Sequence, residues 1–214
     1  MTDGPVGVVL AAGAGTRLRP LTDRLPKALC PVGGRALVDW AIDRLRPHVS
    51  RVAVNAHHRR EQLQAHLSDQ PVYLSIEEPV ALGTAGALGR LREWIDGAPV
   101  LLTNADAWCP GPDPLAVLVD DWADETRPRL LSQPAGSRRR DFGELRYLGS
   151  ALLPWWAVRD LEPVPSGLYE VSWARLHDEG ALDLVVTTED WIDCGTPADY
   201  QEANARASGS HSPG

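Results

Sequence analysis

Long hydrophobic runs are missing from this chain. No stretch of its 214 residues reaches the ~18 consecutive apolar positions that a membrane-spanning helix needs. The first residues, Met-Thr-Asp-Gly-Pro, carry neither a basic leader nor an apolar core, so no secretory signal is read. These two absences lead to the expectation of a cytoplasmic protein with no membrane partner. Cysteine is scarce: Cys30, Cys109 and Cys194 lie far apart, without paired spacing. That excludes a disulfide framework and a zinc cage and leaves three free thiols. Positive charge is in deficit, with a formal net charge of −8, which argues against a nucleic-acid partner. No internal repeat is evident. What remains is ordinary globular composition, 43% hydrophobic and 23% charged. The length fits one domain, read here as residues 1–206, with a flexible Ser/Gly-rich tail over 207–214. Eight scattered tryptophans read as core or interface residues.

Against that acidic background one stretch stands out. Val6 to Leu10 is a short apolar run of the kind a buried strand needs. It opens into Ala11-Ala12-Gly13-Ala14-Gly15-Thr16-Arg17-Leu18-Arg19-Pro20-Leu21-Thr22 and closes with Leu25-Pro26-Lys27. Gly13 and Gly15 allow positive φ and close backbone approach to a ligand. Successive N–H groups in such a turn form an anion-binding nest. Between Gly13 and Arg35 five basic residues face one acidic residue, a local balance of +4. A glycine turn with that charge reads as a polyphosphate cradle. It is not a P-loop, because Lys27 follows Pro26 and no Gly-Lys-Ser/Thr is present. It is not a dinucleotide fingerprint, because Leu18 stands where the third glycine belongs.

Along the chain, strand and helix patterns alternate, which predicts an α/β fold with a largely parallel sheet. Helices are expected over residues 35–46, 59–67, from Thr84 as N-cap, and after Asp113-Pro114. Further helical turns are expected over 155–161 and from a Ser166 cap to 179. Strands are expected over 52–54, 72–76, 100–103, 129–132, 144–153 and 184–187. Gly83 and Gly86 look like two more glycines than helix packing requires. The strand at 100–103 ends in Asn104-Ala105-Asp106, and ligands in open α/β sheets bind at the carboxyl ends of strands. Thr196-x-x-Asp199 with Pro197 reads as a capping box, which explains those residues but not Asp193.

Leu-Ala-Ala-Gly-x-Gly-Thr-Arg-Leu-x-Pro-Leu-Thr with Pro-Lys a few residues on resembles the signature of the sugar-1-phosphate nucleotidylyltransferases. Leu-Gly-Thr-Ala-Gly at 82–86, Asn-x-Asp at 104–106 and Trp-x-Asp-x-Gly-Thr-Pro at 191–197 extend the resemblance over about Val6 to Tyr200. The resemblance implies a Rossmann-like sandwich with a mixed, mostly parallel sheet. It implies transfer of a nucleotidyl group from a nucleoside triphosphate to a sugar 1-phosphate, with release of pyrophosphate. It also implies Mg²⁺ held by Asp106 and Asp193, with Arg17, Lys27 and Asp106 catalytic. Nucleotide contacts fall on Leu10, Ala11, Ala12, Gly13, Gly15, Thr16, Arg17, Glu78, Gly83 and Thr84. The family carries a Glu-Lys-Pro segment before the sugar-binding glycine. This chain has Arg138-Arg139-Arg140 there, so Arg138 and Arg140 join Asn104 and Gly149 as sugar-phosphate residues.

The base is read from hydrogen-bond inventory. Glu78 lies four residues before Leu82, where resembling uridylyltransferases place a glutamine. An ionised carboxylate, acceptor only, can take the two adjacent N–H donors of guanine. GTP is therefore favoured over UTP and CTP. Three alternatives stay open: a cytidylyltransferase acting on phosphocholine or a phosphonate, a non-catalytic nucleotide-binding regulator, and a monomer or a homodimer.

Overall fold

The computed structural model describes residues 4–122 and 127–209. Strand β1 (Val6–Leu10) is followed by three short 3-10 turns and a hairpin of β2 (Pro31–Val32) and β3 (Arg35–Ala36). Helix α1 (Leu37–Leu45), β4 (Val52–Ala56), α2 (Arg60–Leu67) and β5 (Val72–Ile76) come next. Then follow α3 (Gly83–Ile95), β6 (Val100–Asn104), β7 (Ala107–Trp108) and α4 (Ala116–Val119). The chain continues through β8 (Arg129–Pro134), β9 (Leu145–Leu153), α5 (Ala174–Asp178), β10 (Asp183–Val186), β11 (Ile192–Asp193) and α6 (Pro197–Gly209). Among the described residues no helix is long and apolar enough to cross a membrane.

Seven strands form one sheet in the order β10-β8-β9-β6-β1-β4-β5. All neighbours are parallel except β9, which runs antiparallel to both β6 and β8. The mixed, mostly parallel sheet matches the sequence reading. Successive residues of β1 serve opposite faces: Val8 joins the cluster with Leu88, Leu91 and Ile95, and Val9 joins the one with Val38, Ile42 and Leu63. Burial on both faces is why β1 has no polar residue. From β1 the chain builds outward to β4 and β5, then returns to place β6 on the other side of β1. That reversal opens a crevice at the strands' carboxyl ends. Leu10 and Asn104 lie side by side there, and the Ala105 N–H bonds to the Leu10 carbonyl at 3.0 Å.

Several boundaries differ from the sequence reading. Arg35 and Ala36 are strand, because they close the hairpin on Pro31 and Val32 before the helix starts at Leu37. The 155–161 helix is only a 3-10 turn over Trp155–Ala157. Ser166 caps nothing: its hydroxyl donates to the Val164 carbonyl, and Tyr169–Trp173 forms one π-helical turn ahead of α5. Thr84 is not the N-cap of α3, since its hydroxyl accepts the Leu168 N–H at 2.8 Å. Helix α6 runs on to Gly209, past the expected start of the tail, and residues 210–214 lie outside the described residues. Asp199 N–H does bond to the Thr196 hydroxyl, at 3.2 Å, and Pro197 is the first helical residue.

The glycines of α3 are required after all. Gly83, Gly86 and Gly89 recur every three residues along α3, and the backbone of residues 161–166 lies against them. A Cβ on Gly86 would stand 2.2 Å from the Val164 carbonyl oxygen, and one on Gly89 2.4 Å from the Glu162 carbonyl carbon. Overpacking of this kind costs about 1–3 kcal/mol. Gly86→Ala is therefore expected to lower the melting temperature by several degrees, at about 2–4 °C per kcal/mol for this size. A thermal melt that stayed level or rose would show that the 161–166 segment yields freely.

A third, smaller cluster gathers Leu18, Cys30, Val32, Leu37, Trp108, Ile192, Cys194 and Ala203, residues of or beside the β2–β3 hairpin, the β7–β11 ribbon and α6. Burial pushes the Cys30 thiol up to about 11 and the Cys194 thiol up to about 12, the latter helped by the Asp106 carboxylate. Cys109 is likewise raised to about 11 by burial. The thiolate is the reactive form, so all three should be inert in the native protein. Iodoacetamide at pH 8 is expected to leave the folded chain unmodified and to label all three thiols in urea. Adducts are counted by mass spectrometry, and rapid native labelling of Cys30 or Cys194 would contradict this packing.

Candidate active site

At the β1 end of the crevice a cavity of about 240 Å³ is walled by Leu10, Ala12 and Gly13 on one side and by Ala81, Gly83 and Thr84 on the other. Asn55 lines it too, and Asn104 and Asp106 close its far end. Of the residues assigned to the nucleotide, Leu10, Ala12, Gly13, Gly83 and Thr84 meet here. Ala11 is just behind, its N–H bonded to Asn55 Oδ1 at 2.6 Å. Gly15 takes φ +63°, and a Cβ there would stand 2.9 Å from Cβ of Lys27 and Cγ2 of Thr22. Only glycine lets the loop pack against the lysine stem. Thr16 is exposed at the start of the first 3-10 turn. Glu78 is not in this cavity. It is ion-paired with Arg60 at the surface, because α2 offers a cation on that side.

Asp106 and Asp193 are 87 residues apart in sequence and adjacent in space. Strand β11 pairs antiparallel with β7, setting Asp193 opposite Ala107, and the Cys194 N–H bonds to the Asp106 carbonyl at 2.8 Å. Lys27 sits between the carboxylates. Its Nζ is 2.5 Å from Asp106 Oδ2 and 3.8 Å from Asp193 Oδ1. Burial and then the Asp106 charge raise the Asp193 carboxyl above the usual range, while Lys27 and Arg17 pull it down. Asp193 Oδ1 is buried and accepts no hydrogen bond. A buried oxygen left without a donor is costly unless a cation meets it. Among the described residues no cluster of three or more His, Cys, Asp or Glu forms a metal cage. Two carboxylates with one orphaned oxygen nevertheless fit a hard divalent cation, which takes its remaining ligands from phosphates and water.

Beyond Asp106 the crevice opens into a second cavity of about 200 Å³ that includes Gly149, Arg146 and Asp193. It adjoins a third of about 390 Å³ lined by Arg17, Arg138, Arg139 and again Arg146. Gly149 sits in a bulge of β9 with φ +81°, where a Cβ would fall 2.5 Å from Asn104 Nδ2. Asn104 and Gly149 are thus brought together as expected. The arginine run is divided. Arg138 lines the third cavity but is bonded to Asp199 at 3.1 Å. Arg140 turns to Glu144 at 2.6 Å and faces none of the cavities described here. Arg17 lies beside Asp193, across Gly195, and forms no ion pair among the described residues.

Three residues were missed by the sequence reading: Asn55, Glu77 and Arg146. Asn55 is the one polar residue of β4, at its carboxyl end, which was a usable signal. Glu77 gave none, because an acidic pair ending a strand usually reads as solvated. Arg146 has no carboxylate within ion-pair distance among the described residues. Its Nη2 donates to Gln133 Oε1 at 2.9 Å and Trp191 O at 3.4 Å. Burial and then the neighbouring Arg138 work against its charge. Its signal was position: three residues before a glycine already assigned to the acceptor.

A family model described as "MobA-like NTP transferase domain" matches residues 7–183. The N-acetylmuramate alpha-1-phosphate uridylyltransferase of Caulobacter vibrioides is 29% identical, the match covering 96% of this chain and 98% of that protein. Two solved structures are similar in fold. The inositol-1-phosphate CTP transferase of T. maritima has a TM-score of 0.74 at 18% identity, covering 100% of both chains. HddC of Yersinia pseudotuberculosis, complexed with GMP-PN, has a TM-score of 0.73 at 19% identity, covering 96% and 99%.

Proposed function

Because this chain belongs to the MobA-like NTP transferase family and is therefore an enzyme of nucleotidyl transfer, we propose that it moves a uridylyl group from UTP to a sugar 1-phosphate. The products are a UDP-sugar and pyrophosphate. One observation carries the reading: Lys27, Asp106 and Asp193 meet where a cavity walled by backbone adjoins one lined by arginine.

The nucleotide lies in the 240 Å³ cavity. N–H groups of the 13–16 turn and the Arg17 guanidinium take the β- and γ-phosphates. An oxygen of the sugar phosphate attacks the α-phosphorus in line, a P–O bond forms, and the bond to the β-phosphate oxygen breaks. The attacking phosphate is already ionised, so no protein base is needed. Lys27 leaves Asp106 for the α-phosphate oxygens and meets the charge that builds there. Asp106 and Asp193 would hold a Mg²⁺-class cation, which would neutralise phosphate charge in the same place. Arg146 holds the acceptor phosphate from the far side.

Guanine selection rested on the Glu78 carboxylate, and that carboxylate is engaged by Arg60. Backbone groups of Leu10, Ala12, Gly13 and Gly83 face the base instead. Uracil, one N–H donor between two carbonyl acceptors, is matched by such N–H and C=O groups. The Caulobacter relative, similar along its whole length, carries uridylyl transfer and N-acetylmuramate 1-phosphate in its name. That acceptor is the first to assay.

Pyrophosphate release is to be followed with UTP, GTP, CTP and dTTP against N-acetylmuramate, N-acetylglucosamine, glucose and mannose 1-phosphates, and phosphocholine. UTP is expected to exceed GTP by about tenfold or more in kcat/KM, the scale of one mismatched hydrogen-bonding group. GTP turnover above UTP turnover overturns the base assignment, and release with phosphocholine alone overturns the acceptor class.

Arg146 and Arg140 separate two versions of the acceptor site. Arg146→Ala is expected to raise KM for the sugar phosphate by about 10–100-fold, as befits loss of a hydrogen bond to a charged group. KM for the triphosphate should move little. Arg140→Ala should leave both constants within about twofold, as for an exposed ion pair. The reverse pattern in steady-state kinetics would restore the arginine run as the phosphate anchor.

A further inference from the structure

Under the 240 Å³ cavity runs a buried hydrogen-bonded chain that the transfer reaction does not use. Asn55 is 3% exposed and Glu77 0%. Asn55 Oδ1 accepts the Ala11 N–H at 2.6 Å, and its Nδ2 donates to Glu77 Oε1 at 2.7 Å. Glu77 Oε2 accepts the Leu82 N–H at 2.7 Å. No Lys, Arg or His side chain stands within ion-pair distance of Glu77 among the described residues. Ala11 lies between Leu10 and Ala12 of one wall, and Leu82 between Ala81 and Gly83 of the other.

We propose that Glu77, acting through Asn55, is a positioning pair that sets the distance between the two walls and so the affinity for nucleotide. This rests on the reading of the cavity as the nucleotide site. Polarity forces the arrangement. An amide has one acceptor end and one donor end. Because the Ala11 N–H occupies the acceptor end of Asn55, its donor end must point at Glu77. Glu77 then meets N–H donors at both oxygens, which only an ionised carboxylate satisfies. Burying such a charge without a cation is expensive, and packing alone would be served by apolar side chains. The second wall is also tied to residues 166–168: Leu82 O accepts the Ser166 N–H at 2.9 Å and Ala85 N–H meets Ser166 O at 3.0 Å. Asn55 and Glu77 are the link that crosses between the walls.

The polarity dictates a rescue. In Glu77→Gln one donor is turned against either the Asn55 amide or the Leu82 N–H. In Asn55→Asp two carboxylates face each other. The double variant Asn55→Asp/Glu77→Gln satisfies every group again, with the charge moved to position 55. Binding of UTP and of GTP with MgCl₂, without acceptor, is to be measured by calorimetry for all four proteins, alongside thermal melts. Each single variant is expected to bind about tenfold more weakly or worse, and the double variant within about threefold of wild type. A purely structural role would lower the melting temperatures and leave binding by the folded protein unchanged. Singles that bind like wild type, or a double no better than the worse single, overturn the pair while leaving the nucleotide reading intact. A wild type that binds neither nucleotide overturns both. If Glu77→Gln does not fold, the double variant decides: folding and binding support the pair, and failure of either overturns it.

Discussion

Two carboxylates held close together repel, and the architecture of this enzyme depends on holding them. Asp106 and Asp193 are far apart in sequence, and the β7–β11 ribbon with the Cys194–Asp106 backbone bond brings them together. The Asp106 charge works against ionisation of Asp193, second only to burial. Lys27 offsets that by lying between them. Its stem is fixed by Gly15, whose missing Cβ makes room for it. The glycine turn thus seats the cation that lies between the carboxylates. The third apolar cluster, with Leu18, Cys30, Ile192 and Cys194, is the platform from which both sides of this contact rise.

The wall of the 240 Å³ cavity follows a different rule. Its side chains are small, and its shape comes from backbone placed by backbone. Gly83, Gly86 and Gly89 let the 161–166 segment lie directly on α3, and the Ser166 bonds to Leu82 and Ala85 fix that contact. A wall built this way presents N–H and C=O groups at set positions at little cost in side-chain entropy. The same fold in similar structures serves a CTP transferase and a protein crystallised with GMP-PN, so the fold does not choose the base. Small displacements of such a wall can choose it.

Much of this was legible in the residues. The alternation of strands and helices, the β1 turn and Asp106 at a strand's carboxyl end each follow from local chemistry that needs no neighbour to be recognised, whereas Asp193 was reached only through the family resemblance. The glycine turn is legible because few other structures need Gly-x-Gly beside five basic residues. What was not legible depends on approach between distant segments. The glycines of α3 looked surplus because the segment lying on them is some 80 residues away. Glu77 and Glu78 are adjacent and chemically identical in sequence, yet one is fully buried and the other pairs with Arg60 at the surface. Both lie just past the carboxyl end of β5, and nothing local says which of the two will be covered.

The same limit explains the arginines. Arg138, Arg139 and Arg140 form the most basic triplet in the chain and drew the acceptor assignment. Each has its own carboxylate: Asp199, Asp141 and Glu144. Exposed pairs of this kind contribute little and leave little charge for a ligand. Arg146 is half-buried, held by one amide oxygen and one backbone carbonyl, with no carboxylate within ion-pair distance among the described residues. Desolvating a cation without pairing it costs free energy, and such a cost persists in a fold where an incoming anion offsets it. The distinction between a paired exposed cation and an unpaired half-buried one is electrostatic, and it is invisible to composition. The bulge at Gly149 adds the geometry, pressing β9 onto Asn104 so that Arg146 reaches the same cavity as Asp106. On the proposed reading, an anion drawn to Arg146 lies beside the carboxylate-held lysine.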